Sequence, residues 1–251
     1  MIRKLLALFA PLLLMASPAW AAPTLAWKLA AMVPVLSAST CAVAVPGGQS
    51  AAVGDELLVF IALQAQTQTV NPPSSTGVTW STGASSCTNV GGSEEVCGFT
   101  GTVTGTQAAA TSYTFTDATA SDIIVCDMFD VSGTNNTVDY RQGNQGTGGS
   151  TTMTVTPTLS TANDFVAVFM FNYNVTQYTS VTQGAGWTGT PSNANNSFDA
   201  AHYGAADMYN VQTASGSPGL VISWATSTWT DCVVIAMQPG AVSGMRGFIW
   251  W

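Results

Sequence analysis

Short apolar runs separated by turn-forming residues recur along almost the whole chain. Glu56–Leu63, Phe165–Asn172 and Asp231–Gln238 are apolar at nearly every position, whereas Thr152–Thr156 alternates between polar and apolar residues. Runs of this length that are rich in Val, Ile, Thr and Phe predict β-strands, and strict alternation predicts a strand with one buried face. No segment carries an apolar stripe at helical spacing with caps. We therefore expect an all-β protein with almost no helix.

Two stretches of the chain repeat each other at one offset. Gly54–Ile61 resembles Asn163–Met170, and Asp55 and Asp164 are 109 positions apart. Asp122–Met128 resembles Asp231–Met237 at the same offset. The pattern predicts a duplicated β unit.

The size of that unit favours one shared fold over two separate ones. The halves cover about residues 41–134 and 150–239, and Gly143–Gly149 lies between them. One half alone would leave its sheet edges open. We therefore expect a jelly-roll double-sheet sandwich with an internal pseudo-repeat of 109 residues and one shared core. Two separate domains are the alternative.

The N-terminus has the pattern of a secretory signal peptide. Arg3 and Lys4 precede the apolar run Leu5–Met15, and Ala19–Ala21 is a small-x-small cleavage site. The run is too short to span a bilayer. An uncleaved anchor or a buried arm is the alternative.

These features divide the chain into three segments. We expect a signal peptide at 1–21, a single β-sandwich over 22–239 and a short apolar tail at 240–251. The mature chain would have no membrane span. It would reach the periplasm, the cell surface or the outside, or a virion if a phage encodes it.

Charged residues are only 7% of the chain, with 13 acidic and 5 basic residues and a net charge of −8. So few cations argue against nucleic acid and against an anionic membrane as partners. A surface made polar by Thr, Ser, Asn and Gln is typical of extracellular β proteins. We expect the partner to be a second copy, another surface or virion subunit, or a glycan.

Five cysteines accompany the export signal, so disulfides are expected. Cys87 and Cys97 flank a turn-rich segment that can fold back as a hairpin, and we predict a bridge between them. The pairing among Cys41, Cys126 and Cys232 stays open. Zinc is the competing interpretation, but the chain has no C-x-x-C.

The residues that could carry catalysis are few. His202 is the only histidine, and no G-x-S-x-G elbow accompanies it. Glu94 and Glu95 are adjacent acids, but neighbours in a strand point to opposite faces, so their carboxyl groups would not converge on one substrate. We expect them in a solvated loop of the Cys87–Cys97 hairpin. We predict no catalytic residue.

Two sets of residues are candidates for binding. Asp55, Asp122, Asp164 and Asp231 each precede an apolar strand, which is the chemistry of a turn or, alternatively, part of a calcium site. No other cofactor is expected.

Aromatic residues form the second candidate set. Tyr173 and Tyr178 flank a polar loop and are candidates for stacking on a sugar ring. Trp187 corresponds to Trp80 in the other half, so we expect it in the core.

Read in order, several motifs resemble one family. They are Gly54-Asp55, Trp80, Tyr113–Thr116, Asp130, Thr154–Pro157, Ala162–Asp164, Gly186-Trp187 and Ala236–Pro239. From about Ala42 to Pro239, the chain resembles jelly-roll, concanavalin-like domains of bacteriophage structural proteins and bacterial secreted or surface proteins. The resemblance implies a β-sandwich with a virion or cell-surface role, and it transfers no catalytic residue.

These observations lead to one functional expectation. We expect a non-enzymatic, exported structural or adhesive subunit of a cell surface, a filament or a virion. A carbohydrate-binding module and a secreted hydrolase are the alternatives.

Overall fold

A computed structural model describes residues 20–64, 69–81, 87–89, 94–145, 150–173, 181–187, 194–199, 203–228 and 230–241. All regular structure within these ranges is β-strand. The strands of the first half are β1 (Trp20–Ala21), β2 (Thr24–Lys28), β3 (Val33–Ala44), β4 (Glu56–Leu63), β5 (Val70–Asn71), β6 (Val78–Trp80), β7 (Cys87–Asn89), β8 (Glu95–Val103) and β9 (Ser112–Ser132). Those of the second half are β10 (Thr134–Gln145), β11 (Ser150–Val155), β12 (Asp164–Tyr173), β13 (Val181–Gln183), β14 (Ala194–Asp199), β15 (Tyr203–Gln212), β16 (Leu220–Thr228) and β17 (Asp231–Ala241).

The described strands form three antiparallel sheets. An eight-stranded sheet has the order β2-β9-β4-β8-β6, with β3 and β5 also paired to β9 and β7 paired to β8. A six-stranded sheet has the order β1-β17-β12-β15-β14, with β10 also paired to β17. A three-stranded sheet has the order β11-β16-β13. The protein is thus an all-β antiparallel sandwich, with more layers than the two sheets expected.

The eight-stranded sheet curls around its own core. The first part of β9 pairs with the end of β3 and with β5, and the rest pairs with β2, the start of β3 and β4. Leu57 on β4 and Tyr113 on β9 meet in this first core. The Cys41–Cys126 disulfide joins the two parts of the sheet.

Two further cores complete the packing. The central core lies between the eight-stranded and six-stranded sheets, and Phe60 and Phe169 are among its residues. The third core lies between the six-stranded and three-stranded sheets, and it contains Val168 and Ile222. The central core contains side chains from both halves of the chain.

This layering explains why some strands are apolar at every position. Successive side chains of a strand point to opposite faces. In β4, Leu57 and Val59 face the first core, while Leu58 and Phe60 face the central core. In β12, Phe169 faces the central core and Val168 faces the third core. Both faces are buried, so no position needs a polar side chain.

Strand registers compare the two halves directly. Glu56 lies opposite Thr102 in the β4–β8 pair, and Phe165 lies opposite Val211 in the β12–β15 pair, which is an offset of 109 in both strands. In the next pairs, Glu56 lies opposite Val131 and Phe165 lies opposite Met237, so the offset between β9 and β17 is 106.

The difference of three residues changes which face a side chain occupies, because it is odd. An offset of 109 would match Cys126 of the first core with Ile235, which faces the central core. The observed offset matches Cys126 with Cys232, which faces the third core. The sequence alignment of this last strand is therefore displaced by three residues.

Some predicted elements differ from the observed ones. In the sequence, Ser112–Thr116 and Ile123–Phe129 are two separate runs of strand-forming residues, but both belong to the single strand β9. β10 covers a segment whose sequence is typical of turns and a linker. It is a strand because its backbone hydrogen-bonds to β17. Trp187 lies outside the strands, after a turn that follows β13. Pairing with a neighbour overrides local propensity in such segments.

The two described ends of the chain lie side by side. Trp20 and Ala21 of β1 pair with Ala241 and Gly240 of β17. Residues 1–19 and 242–251, which include most of the predicted signal peptide and the apolar tail, lie outside the described residues. Within the described ranges, no helix is long and apolar enough to cross a membrane.

Candidate functional site

The charged side chains whose burial is described are buried or partly buried. Nine of the 13 acidic side chains are buried, and Asp55, Asp139, Lys28 and Arg141 are partly buried. No charged side chain whose burial is described is exposed. The nine are Glu56, Glu94, Glu95, Asp117, Asp127, Asp130, Asp164, Asp207 and Asp231.

A lysine and two carboxyl groups meet in the central layer, and we name Lys28, Asp127 and Asp207 the lysine–carboxyl cluster. Nζ of Lys28 lies 2.5 Å from Oδ2 of Asp207, with side-chain exposures of 15% and 2%. The same nitrogen lies 5.7 Å from the ring centroid of Phe129. Oδ1 of Asp127 accepts a hydrogen bond from the Met128 backbone N–H at 2.8 Å. Burial, and then the neighbouring Asp207 carboxylate, raise the pKa of Asp127 well above its usual range.

Strand register explains how the cluster forms. Lys28 lies opposite Phe129 in the β2–β9 pair, so both side chains and that of Asp127 point toward the central core. Asp127 lies opposite Phe60 in the first half, and Asp207 lies opposite Phe169 in the second. The cluster therefore stands beside the Phe60–Phe169 stack and joins the two large sheets.

A second polar contact joins the sheets at Glu56. Oε2 of Glu56 accepts a hydrogen bond from Thr102 Oγ1 at 3.0 Å, and Arg141 Nη2 donates to Thr100 Oγ1 at 2.9 Å. Burial raises the pKa of Glu56 to about 7, although Thr102, Thr100 and the Arg141 charge oppose the shift. Arg141 reaches this site from β10, so the contact links the two halves.

Glu94 and Asp231 form a hydrogen-bonded carboxyl pair. Burial, and then the Glu94 carboxyl, raise the pKa of Asp231 to about 8. The expectation that Glu94 and Glu95 lie in a solvated loop is wrong, because their exposures are 8% and 4%. The two side chains do diverge: Glu95 lies with Cys87 and Cys97 on the opposite side.

Asp139 and Asp164 form a second carboxyl pair, at the edge of the third core. Burial acts to raise the pKa of Asp139, but hydrogen bonds from Asp164, Ser160 and Gln238 lower it to about 2. Burial and the Asp139 carboxylate raise the pKa of Asp164 to about 7. A protonated Asp164 therefore donates to an ionised Asp139, whose Oδ2 also accepts from the Ser160 N–H at 2.5 Å.

The four aspartates predicted at strand starts occupy separate environments. Asp55 accepts the Ala52 N–H at 2.8 Å, which is turn chemistry. Asp164 accepts a hydrogen bond from the Thr161 hydroxyl, and Asp231 pairs with Glu94. The side chain of Asp122 lies outside the described residues.

One group of three potential metal-ligating side chains occurs within the described residues, and it does not include these aspartates. It consists of Cys87, Glu95 and Cys97. The two sulfur atoms are bonded to each other. They do not offer the thiolates that a zinc site needs.

The cysteines pair in two bridges. Cys87 and Cys97 are bonded at 2.05 Å across β7 and β8, as their spacing predicts. Cys41 pairs with Cys126, a pairing that the sequence left open. The buried Cys232 keeps its thiol, whose sulfur lies 3.8 Å from Met153 Sδ.

The predicted aromatic site falls outside the described side chains. The backbone of Tyr173 ends β12 opposite Tyr203, whereas Tyr178 and His202 lie outside the described residues. Trp80 and Trp187 are buried, as predicted for core residues. Their indole N–H groups donate to Ser75 Oγ at 2.9 Å and Val221 O at 3.0 Å.

The outward faces of the outer strands are neutral and rich in threonine. On the curled sheet, exposed Thr40 lies opposite exposed Thr116. The three-stranded sheet exposes Thr152 and Thr154 on β11. The outer faces of the curled sheet and of the three-stranded sheet therefore expose uncharged hydroxyl and methyl groups to the solvent.

Comparison of the chain with protein-family models, curated proteins and solved structures finds no match. The resemblance to phage and bacterial surface domains therefore stays a prediction.

Sequence reasoning missed the lysine–carboxyl cluster. A signal was present, since Asp127 and Asp207 each interrupt an apolar strand, and Lys28 is a lone cation in an apolar segment. A charge within an apolar strand indicates a buried partner, but the sequence does not say which one.

Proposed function

We propose that this protein is an exported structural or adhesive subunit of a cell surface, a filament or a virion, without catalytic activity. One observation carries the proposal: nine of the 13 acids are buried in the layers, and no charged side chain of described burial is exposed. The two disulfides support it, because such bonds persist in oxidising, extracellular environments. In this proposal, residues 1–21 are the signal peptide.

Outer sheet faces without charged side chains suit association. Like charges keep most soluble proteins apart, and a surface charge near zero promotes contact between copies. Exposed hydroxyls such as those of Thr114 and Thr116 can hydrogen-bond to a second copy or to a neutral glycan. Such contacts depend little on salt, because few charges are available to screen.

The layered interior suits a load-bearing subunit. Three cores and two disulfides hold the described strands, and β4, β12 and β17 have apolar residues packed on both faces. A duplicated jelly-roll unit, related to phage and bacterial surface domains, is part of the proposal. The equal registers of the β4–β8 and β12–β15 pairs support the duplication.

The test is association of the purified mature protein, followed by sedimentation at rising concentration in low and high salt. We expect assembly, or binding to cells or to a glycan array, with little dependence on salt. The double variants Thr114→Lys/Thr116→Lys and Thr152→Lys/Thr154→Lys place charges on one outer face each, and we expect at least one to reduce association. The matched control Thr114→Ser/Thr116→Ser keeps both hydroxyls.

Two results would overturn the proposal. One is a protein that stays monomeric at high concentration and binds neither cells nor glycans. The other is hydrolysis of a polysaccharide at an ordinary enzymatic rate. Binding to a glycan without self-assembly would support an adhesive role and would favour a carbohydrate-binding module over a structural subunit.

A further inference from the structure

We propose that Lys28 and Asp207 become joined by an amide bond between their side chains, with Asp127 moving the protons. Nζ of Lys28 already lies 2.5 Å from Oδ2 of Asp207, and both side chains are withdrawn from solvent. The two residues are 179 positions apart and come from different sheets. The bond would be an internal cross-link between the two halves of the chain.

The cluster contains the right number of protons for this reaction. An ammonium, a carboxylate and a carboxylic acid together carry no net charge. Moving protons within this set produces an amine and two carboxylic acids, which also carry no net charge. A medium of low dielectric constant favours the form without charges. The condensation proceeds from this second form, because only an amine without the extra proton has a lone pair that can attack a carboxyl carbon.

The condensation balances without an oxidant or a further reactant. The Nζ lone pair attacks Cγ of the Asp207 carboxylic acid, and a tetrahedral intermediate forms. Asp127 accepts a proton from Nζ and delivers one to the departing hydroxyl. The Nζ–Cγ bond forms, the Cγ–O bond breaks, and one water molecule leaves. Asp127 ends in its starting state.

In this scheme the carboxyl group is not chemically activated, and the reaction depends on holding the amine and the carboxyl group in contact. Groups held in contact react as if at very high concentration. Lys28 lies opposite Phe129 in the β2–β9 pair, and Asp127 is two residues from Phe129 on the same face. Oδ2 of Asp127 is buried and has no hydrogen-bond partner among the described residues, so this oxygen is free to exchange a proton. The charges of Lys28 and Asp207 both act on the Asp127 carboxyl group.

The surroundings favour the product. Phe129 lies beside Nζ, and the stacked rings of Phe60 and Phe169 adjoin the two aspartates. A buried ion pair carries a desolvation cost, and a neutral amide removes both charges. The water molecule that is released enters the bulk solvent. The bond would tie β2 of the curled sheet to β15 of the six-stranded sheet, so that pulling on the halves loads a covalent link.

Mass spectrometry of the purified full chain tests the proposal. We expect an intact mass lower than the sequence predicts by one water molecule, beyond the hydrogens lost to the two disulfides. After reduction and digestion, the peptide containing Lys28 should remain linked to the peptide containing Asp207. A chain isolated in denaturant before folding should keep its full mass and lose the water on refolding.

Variants assign the roles. Lys28→Arg keeps the positive charge but cannot form the amide, so its full mass is expected. Asp127→Asn retains both reacting groups, and we expect the cross-link to be lost or strongly slowed. The control Asp231→Asn alters a separate carboxyl pair and should leave the cross-link intact.

Each outcome of these experiments either supports or overturns the proposed cross-link. A folded wild-type protein of full mass, with Lys28 and Asp207 in separate peptides, overturns the proposal, as does a water loss that maps to other residues. Full cross-linking of Asp127→Asn overturns the role of Asp127. If the variants do not fold, the wild-type peptide map and the comparison before and after refolding still decide. Association of the protein is measured separately. The cross-link can therefore be refuted while the proposed function still stands.

Discussion

Phe60 and Phe169 stack on each other across the boundary between the two large sheets, with ring centroids 5.7 Å apart and planes 6° from parallel. They occupy equivalent positions of β4 and β12 by the registers with β8 and β15. Their neighbours Asp127 and Asp207 flank the stack, so one contact positions both the aromatic centre of the fold and the lysine–carboxyl cluster.

Replacing Phe169 by Ala should destabilise the protein severely. The ring is fully buried, and such a substitution costs about 3–5 kcal/mol of unfolding free energy. Urea denaturation measures the loss, and a double-mutant cycle with Phe60→Ala should give a coupling of about 0.5–1.5 kcal/mol. Leu36→Ala is the control, because Leu36 is 61% exposed. Equal effects of Phe169→Ala and Leu36→Ala would contradict the stacked core.

The protein should be more stable in mild acid than in base. The folded pKa values of Glu56, Asp130 and Asp164 are about 7 and that of Asp231 is about 8, against ordinary values of 4.5 for Glu and 3.8 for Asp. At a pH between the ordinary and the folded pKa values, these carboxyl groups are ionised in the unfolded chain but still protonated in the folded protein. Stability therefore falls as the pH rises from about 4 to about 8.

Asp139 acts in the opposite direction and sets the acid limit. Its folded pKa is about 2, so its contribution is present above pH 3.8 and is lost as the pH falls toward 2. Melting temperature against pH should therefore peak near pH 4 to 5. Glu56→Gln, which keeps the side chain's shape and an acceptor for Thr102, should flatten the decline above the peak. A melting temperature that rises steadily from about pH 5 to about pH 8 would refute this account.

The two disulfides should contribute unequally. Cys41 and Cys126 are 85 positions apart, and Cys87 and Cys97 are 10 apart. Loop-closure entropy gives about 4.5 kcal/mol for the long loop and about 2.7 kcal/mol for the short one. Cys41→Ser/Cys126→Ser should thus lose more stability than Cys87→Ser/Cys97→Ser. Non-reducing peptide mapping of the unfolded wild type should find only Cys232 alkylated, and any other labelled cysteine would contradict the pairing.

A methyl group added at Gly101 should disrupt the packing of β6 on β8. The new Cβ would lie 2.6 Å from two ring atoms of Trp80 and 2.8 Å from Val78 Cγ1. The indole is rigid and buried, so Gly101→Ala should cost about 1–3 kcal/mol of unfolding free energy. Gly47→Ala is the matched control, because nothing lies within 4 Å of its added Cβ. Equal unfolding midpoints for the two variants would show that Trp80 does not pack on Gly101.

The strands and most of the core could be predicted from the sequence. Glu56–Leu63 is observed at its predicted bounds, and Trp80 and Trp187 are core residues. The Cys87–Cys97 bridge also follows from local spacing. These properties depend on side-chain pattern over a few residues, which the sequence displays directly.

Partners distant in sequence could not be predicted. The sequence aligned β17 three residues away from its structural match to β9, and it did not reveal that Lys28 meets Asp207 or that Glu94 meets Asp231. A strand pattern shows that a side chain is buried, but the layer that covers it comes from elsewhere in the chain. The sequence therefore shows which apolar residues leave the solvent, and only the stacking of the sheets decides which charged residues are buried and which of them face one another.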